Sequence, residues 1–548
     1  MKVKAILFDT RSIQRYIFSG SQLKTNIGAS YLVDRVFDDA LLAVLRDSWA
    51  GEADTDSWCC DRSASFDWSM KPGQARIAYI GGGNALVLFP EETAENLLID
   101  IVAVFTKRLL VDYPGLHTGA AIGELEMDAA GLLVKTDGMN DLTRLVHQLK
   151  QNQNTVFPQV NLPYTGLTLS CESNGETASA YDRRLGRFVS WELESKLRAA
   201  EPAEQELTDK LEQIWQAGGG SSLMEGAAFP VDLSALGQRE TENDIAIVHI
   251  DGNNMGRKFA DCTTLTKRKN MSLSIREKTI RAFCQLVSSI RQELDADTFL
   301  KPNFSKKDDR RYLPIRPLVL GGDDMTFVCA AKVALRYAER IMKSMKEAGI
   351  DTCAGIAILN TSYPFFRGYT LAEQLCDAAK DEMRSLLSEE AGEQDGAQGS
   401  CWLDFAILHG EQAPTLAQIR RQEYTSSEGW NLHFGPYRVD GDVAQAAAWA
   451  NMKQALYEIH WSERKLPMGK VKELRNVITR SEHERTKFLE QLVRLSRPER
   501  GNPMQLPQVP AWASYEETLW HENRTPYIDA IELIDYYEPE EAGSNGKA

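Results

Sequence analysis

The sequence predicts an α+β protein: two ferredoxin-like domains, a connecting region between them and a helical C-terminal domain. Three observations carry that prediction. At 548 residues the chain is too long for one hydrophobic core, and its 43% hydrophobic and 26% charged residues are those of a globular protein. The chain also repeats itself, with two Gly-Gly hairpins each flanked by matching strands. Finally, segments of helical periodicity separate the repeated strands in the same order.

The first repeated element is a buried strand ending in aspartate, Ala5-Ile6-Leu7-Phe8-Asp9 and then Ile247-Val248-His249-Ile250-Asp251, at an offset of 242. The second is a hairpin with glycines in the turn, Ile77–Gly81-Gly82-Gly83-Asn84–Phe89 and then Pro317–Gly321-Gly322-Asp323-Asp324–Cys329, at an offset of 240. The third is a small-residue strand, Thr118-Gly119-Ala120-Ala121-Ile122 and then Ala354-Gly355-Ile356-Ala357-Ile358, at an offset of 236. In the second copy Ile280, Phe283, Leu286, Val287, Ile290 and Leu294 mark a helix before the hairpin, and Leu371, Leu375, Ala378, Ala379 and Met383 mark one after the third strand. Strand–helix–hairpin–helix–strand–helix is a βαββαβ unit. The expected division is a first domain at 1–160, a connecting region at 161–240, a second domain at 241–412 and a helical domain at 413–548. Helical patterns are expected over Ser190–Gln216, Val443–Ile459, Glu482–Ser496 and Tyr527–Tyr537, a linker at Gly218–Ser222, a surface loop at Ala391–Ser400 and a frayed tail from Glu538.

Lys+Arg 62 against Asp+Glu 78 gives a net charge of −16, which argues against a surface that is wholly a nucleic-acid track. Two basic islands, Lys301–Arg311 and Lys465–Arg480, read chiefly as solvated surface. Nine scattered cysteines without a Cys-x-x-Cys pair point to a reducing compartment, and the eight histidines form no metal-ligand spacing. No stretch is apolar enough to span a bilayer, and the opening apolar run stops at Asp9, so the expectation is a cytoplasmic chain with no membrane partner.

The chemistry resides in the second copy. A hairpin tip bearing Asp323 and Asp324 beside a strand ending in Asp251 gathers carboxylates at one sheet end. Such groups repel unless a cation lies between them, and hard oxygens select Mg²⁺ or Mn²⁺. Gly321 and Gly322 let the backbone approach a triphosphate; Gly252 and Gly256 open a helix whose first N–H groups suit an anion; Asn254 helps position the triphosphate, and Lys380 could reach the terminal phosphates. The first copy keeps Asp9 but has Gly83 and Asn84 in place of the two aspartates, so it is expected to bind metal poorly. Its Arg15, Lys24 and Arg144 are candidates for holding a second nucleotide or supporting the interface.

These residues resemble the large polymerase/cyclase subunit of type III CRISPR complexes, a family with two palm domains and a Gly-Gly-Asp-Asp hairpin in the second. The opening Asp9–Phe18, Gly28–Leu32, Asp251–Gly256, Ala354–Ile358, Tyr363-Pro364, Leu371–Lys380, Leu403–Phe405, His409-Gly410 and Pro436-Tyr437 carry the likeness over roughly 1–180 and 240–440. More distantly, the palm is similar to GGDEF-type and class III nucleotidyl cyclases. Two departures stand out. Many members begin with an HD nuclease domain, whereas this chain opens on the palm, so single-stranded DNA cleavage is not implied. The family's four-cysteine zinc element keeps only Cys171 here, and no zinc is expected. Asn253 stands where an acidic residue is usual. The resemblance implies an Mg²⁺-dependent nucleotidyltransferase that makes cyclic oligoadenylate-type messengers from ATP. Asp251, Asp323 and Asp324 would be the metal and catalytic residues, and Gly252, Asn254, Gly321, Gly322 and Lys380 would bind nucleotide. The alternative is a non-catalytic or RNA-activated scaffold subunit. Guide RNA and CRISPR effector subunits are the implied partners.

Overall fold

A computed structural model describes residues 1–20, 22–136, 139–155, 166–237, 242–294, 310–390, 399–408, 410, 415–462, 466–495 and 504–537. Most of the first basic island, the loop at 391–398, His409 and the tail from Glu538 lie outside the described residues. Packing divides the chain into two units. One is Met1–Met224 with Asn254–Arg281 and Leu318–Asp324; the other is Glu225–Asn253 with Ala282–Pro317 and Met325–Ala548.

The first copy consists of β1 (Lys2–Arg11), α1 (Ile13–Phe18), α2 (Leu23–Arg35), β2 (Glu52–Asp54), β3 (Gln74–Gly81), β4 (Asn84–Pro90), α3 (Glu95–Asp112), β5 (His117–Glu126) and α4 (Asp141–Thr155), with the long α5 (Trp191–Ala217) after it. The sheet order is β2-β3-β4-β1-β5, so the strand bearing Asp9 is internal, and it runs two residues past Asp9 to Arg11 instead of ending there. Ala5, Ile6, Leu7 and Phe8 are all buried, as a strand covered on both faces requires. Ala5 and Leu7 pack in a core with Leu142, Leu145 and Leu149 of α4. On the other face Phe8 meets Phe105 of α3 edge-on at 4.9 Å. Each such burial contributes about 1.5–3 kcal/mol.

The second copy repeats the order with β6 (Asp244–Gly252), α6 (Met255–Ala260), α7 (Leu265–Glu293), β7 (Ile315–Gly321), β8 (Asp324–Ala330), α8 (Ala334–Glu347), β9 (Thr352–Asn360) and α9 (Phe365–Glu390). Two further strands, β10 (Trp402–Ile407) and β11 (Tyr437–Arg438), extend its sheet to the order β7-β8-β6-β9-β10-β11. The duplication reaches the backbone angles. Ser12 before α1 and Asn254 before α6 both adopt the left-handed conformation, with φ of 52° and 59°, and they stand 242 residues apart, like Asp9 and Asp251. The turn glycines Gly82 and Gly322 have φ of 59° and 60°. The glycine shared by the third strands also has a physical reason: a Cβ on Gly355 would lie 1.9 Å from the Ala372 carbonyl oxygen of α9, so only glycine lets that helix settle on its strand.

The C-terminal part contains α10 (Leu416–Glu423), α11 (Trp449–Leu456), α12 (Met468–Ile478), α13 (Glu482–Leu495) and α14 (Tyr527–Leu533). α12 falls inside the second basic island. Its Val471, Leu474, Val477 and Ile478 are buried, so the basic residues form the outer face of an amphipathic helix. A buried polar network ties α14 to the sheet edge. The His433 ring lies between Asp404 of β10 (2.8 Å) and Asp529 of α14 (3.0 Å), and Arg420 of α10 donates to both Asp404 oxygens at 2.9 and 3.0 Å. Asp529 also accepts from the Phe434 and Gly435 amides and from the Tyr437 hydroxyl. Cys171, the one cysteine kept from the family's zinc element, is buried against Val189 and Leu193.

Candidate functional site

Asp251 is the penultimate residue of β6, and its carboxylate accepts a charged hydrogen bond from Lys380 of α9. Burial would lower the Lys380 ammonium. The neighbouring Cys376 sulfur and the Asp251 carboxylate outweigh that and hold it above the usual lysine value. Two residues earlier on the strand, His249 is buried 3.1 Å from the Thr326 hydroxyl and edge-on to Tyr369, and burial keeps its pKa below the ordinary imidazole value. Asn253 turns inward: it is buried and donates to the Ser400 carbonyl at 3.0 Å and to the Met383 sulfur at 3.2 Å. A carboxylate there would meet a carbonyl oxygen, which accounts for the amide where an acid is usual. Gly252 is buried and Asn254 exposed. The helix that follows is only six residues long, and Gly256 lies within it, so the expected anion-binding helix start is a turn and a half.

β8 begins at Asp324, and its pairing with β6 ends at Met325 opposite Ile250, the chain neighbours of Asp324 and Asp251. The tip Leu318–Asp324 packs with the unit of the first copy. There Gln14 of α1 donates its amide to an Asp324 carboxylate oxygen at 2.6 Å. The Thr279 hydroxyl of α7 donates to the Gly322 carbonyl at 2.7 Å, and the Ser30 hydroxyl of α2 donates to the Leu318 carbonyl. A Cβ built on Gly321 or Gly322 meets nothing within 4 Å, so the tip's backbone borders open space.

A cavity of about 330 Å³ in the same unit is lined by Asp9, Gly82, Asn84, Lys150, Arg268 and Asp323, among others. The cations that line it are Lys150 and Arg268; Arg15, Lys24 and Arg144 are not among its lining residues. Lys150 sits on α4 and Arg268 on α7, a helix assigned by sequence to the other copy, so no pattern within the first copy could have found Arg268. Asp9 is paired with Asn84 in the strand register and accepts a 2.8 Å hydrogen bond from Gln153 of α4. Burial raises its pKa above the ordinary carboxylate value despite that bond. Where the second copy has Asp251, Asp323, Asp324 and Lys380, the first therefore has Asp9, Gly83, Asn84 and a neutral Gln153.

Among the described residues no group of three or more His, Cys, Asp or Glu side chains is gathered that could hold a metal by itself. Asp323 and Asp324 at the second hairpin nonetheless are hard oxygen donors of the kind a hard cation takes. Mg²⁺ commonly takes one or two carboxylates and completes its shell with substrate phosphates and water, and the open space at Gly321 and Gly322 leaves room for them. No helix of the described residues is long and apolar enough to cross a membrane.

Residues 244–387 match the family model of the Cas10/Cmr2 second palm domain. Among solved structures, the Csm1–Csm4 cassette in complex with cA4 superposes with a TM-score of 0.51 at 14% identity, covering 97% of this chain and 69% of that one. The same cassette with pppApA gives 0.51 at 14% identity, covering 97% and 69%. Csm1 of T. onnurineus gives 0.51 at 12% identity, covering 98% and 69%. At these identities the likeness is one of fold. No curated protein matches the sequence. The resemblance carried by the motifs thus stands: the chain is Cas10-like, with two palms and helical parts.

Proposed function

We propose that this Cas10-like chain is a metal-dependent nucleotidyltransferase that joins ATP into cyclic oligoadenylate-type products, as part of a type III CRISPR-like defence. The observation that carries the reading is the asymmetry of the duplicated frame. Both copies keep the strand, turn and helix geometry, but only the second retains carboxylates at the hairpin together with a lysine on its strand aspartate. The family match covers that same copy, and the solved Csm1–Csm4 cassettes of similar fold carry cA4 and pppApA.

In this reading residues 1–160 form the first palm, 161–240 the connecting region, 241–412 the catalytic palm and 413–548 the helical C-terminal domain. Asp251, Asp323 and Asp324 hold Mg²⁺ or Mn²⁺, which when bound polarises the attacking 3′-hydroxyl and neutralises the developing phosphate charge. Gly252, Asn254, Gly321 and Gly322 border the triphosphate with backbone. Lys380 divides its charge between Asp251 and the phosphates. The first palm's cavity, with Lys150 and Arg268 beside Asp9, takes a second nucleotide. Guide RNA and further effector subunits are the proposed partners.

The test is incubation of the purified chain with labelled ATP and Mg²⁺ or Mn²⁺, with the products separated chromatographically. The Asp323→Ala/Asp324→Ala double variant is expected to lose roughly a thousandfold or more in rate, as loss of several kcal/mol of transition-state stabilisation requires. Equal product from wild type and double variant would falsify the assignment.

A further inference from the structure

We propose that Gln14, on α1 of the first copy, is a positioning residue for the Asp324 carboxylate. The proposal rests on the metal-binding reading of Asp324 given above. It assigns the first palm a part in the chemistry of the second.

Three observations converge on it. Gln14 and Asp324 are 310 positions apart in sequence, yet the Gln14 amide donates to an Asp324 oxygen at 2.6 Å. The hairpin tip is fixed at two more points: its Leu318 carbonyl accepts from Ser30 of the first copy, and its Gly322 carbonyl accepts from Thr279 of the second copy's own α7. The third observation is the absence of a reciprocal contact. By the offsets of the repeat, Gly256 stands in α6 where Gln14 stands in α1, and Asn84 stands where Asp324 does. Gly256 has no side chain to donate, and Asn84 instead gives its amide to the carbonyl of Gly82 in its own turn, at 3.0 Å. The amide donor is therefore present in the copy that faces the carboxylate and missing from the copy that would face an amide.

The residue type suits the task. A glutamine amide fixes the direction of a carboxylate without cancelling its charge, whereas lysine or arginine there would compete with an incoming cation. The Gln14 amide oxygen is itself buried without a hydrogen-bond partner, so the side chain is oriented by the single bond it donates. Second-layer hydrogen bonds of this kind set the orientation of a ligating carboxylate, and their loss weakens metal binding by roughly ten- to a hundredfold.

The test uses the full-length chain and follows Mn²⁺ binding by electron paramagnetic resonance in the presence of a non-hydrolysable ATP analogue, so that turnover plays no part. Gln14→Met keeps the volume and removes the donor; Gln14→Ala removes both. Each is expected to weaken Mn²⁺ binding by about tenfold while the thermal midpoint of Gln14→Met stays at the wild-type value. In an Asp324→Asn background the further loss from Gln14→Met is expected to vanish, because the two act as one unit. Wild-type Mn²⁺ affinity in Gln14→Met, or an undiminished loss in the Asp324→Asn background, overturns the positioning role. Unchanged affinity in Asp324→Asn alone would sink the metal reading itself, and the two failures are told apart by that variant.

Discussion

Lys380 and Gln153 hold the equivalent aspartates of the two palms by different chemistry, one as a cation and the other as a neutral amide. That difference was half legible. Lys380 stands on the polar flank of a recognisable helix, but its bond to Asp251 depends on how α9 crosses the sheet. If Lys380 serves the nucleotide as well as Asp251, Lys380→Met should raise the KM for ATP by about tenfold, the worth of one charge-assisted hydrogen bond, with a smaller effect on kcat. Steady-state kinetics at saturating Mg²⁺ decide it, and an unchanged KM would confine Lys380 to Asp251. Asn253 was less legible. Its place in the motif suggested a lost ligand, and only its inward turn onto the Ser400 carbonyl explains the residue.

Among the elements, the duplicated strands and hairpins were readable because an internal repeat and a Gly-Gly turn are signals of the sequence itself. Gly355 was readable as part of the third repeated strand, but not as a contact point. Gly355→Val should destabilise the second palm by about 3 kcal/mol or more, since its side chain would run into the backbone of α9. Urea unfolding would measure this, and a loss under 1 kcal/mol would show that α9 moves aside freely. β10 escaped detection because it is a short buried strand without alternation that has no place in the repeat by which the other buried strands were found. α12 escaped because its basic residues obscured an apolar stripe of four buried positions. Arg268 of the first-palm cavity was not legible for a different reason: it comes from a helix that sequence order places with the other palm.

In the molecule as a whole, the helical C-terminal part is joined to its sheet through the His433 network. Burial and the adjacent Arg420 oppose a charge on His433, and the Asp529 and Asp404 carboxylates outweigh them, so its pKa is raised. Burial opposes the charge on both carboxylates, while Arg420 and His433 hold Asp404 below its ordinary value, and His433 with the Tyr437 hydroxyl does the same for Asp529. A raised imidazole stabilises fully below its unfolded value of about 6.5 and ceases to do so as pH rises through the folded value. The lowered carboxylates contribute above about 3.9 and lose that contribution as pH falls through their folded values. The thermal midpoint should therefore decline as pH rises above about 6.5. His433→Gln should abolish that slope and cost about 3–5 kcal/mol, the usual penalty for stranding buried charges. Melting curves from pH 5.5 to 9 test both, and an identical pH slope in the variant would remove His433 from the account. The sequence by itself determined the two palms, their repeated turns and which copy kept its acids, because periodicity, turn chemistry and residue identity are properties of short segments. Only the tertiary structure decided that the acidic hairpin tip is held by Gln14, Ser30 and Thr279, and that Arg268 serves the first palm's cavity. Those contacts join residues far apart in the chain, and it is packing, not local pattern, that selects such partners.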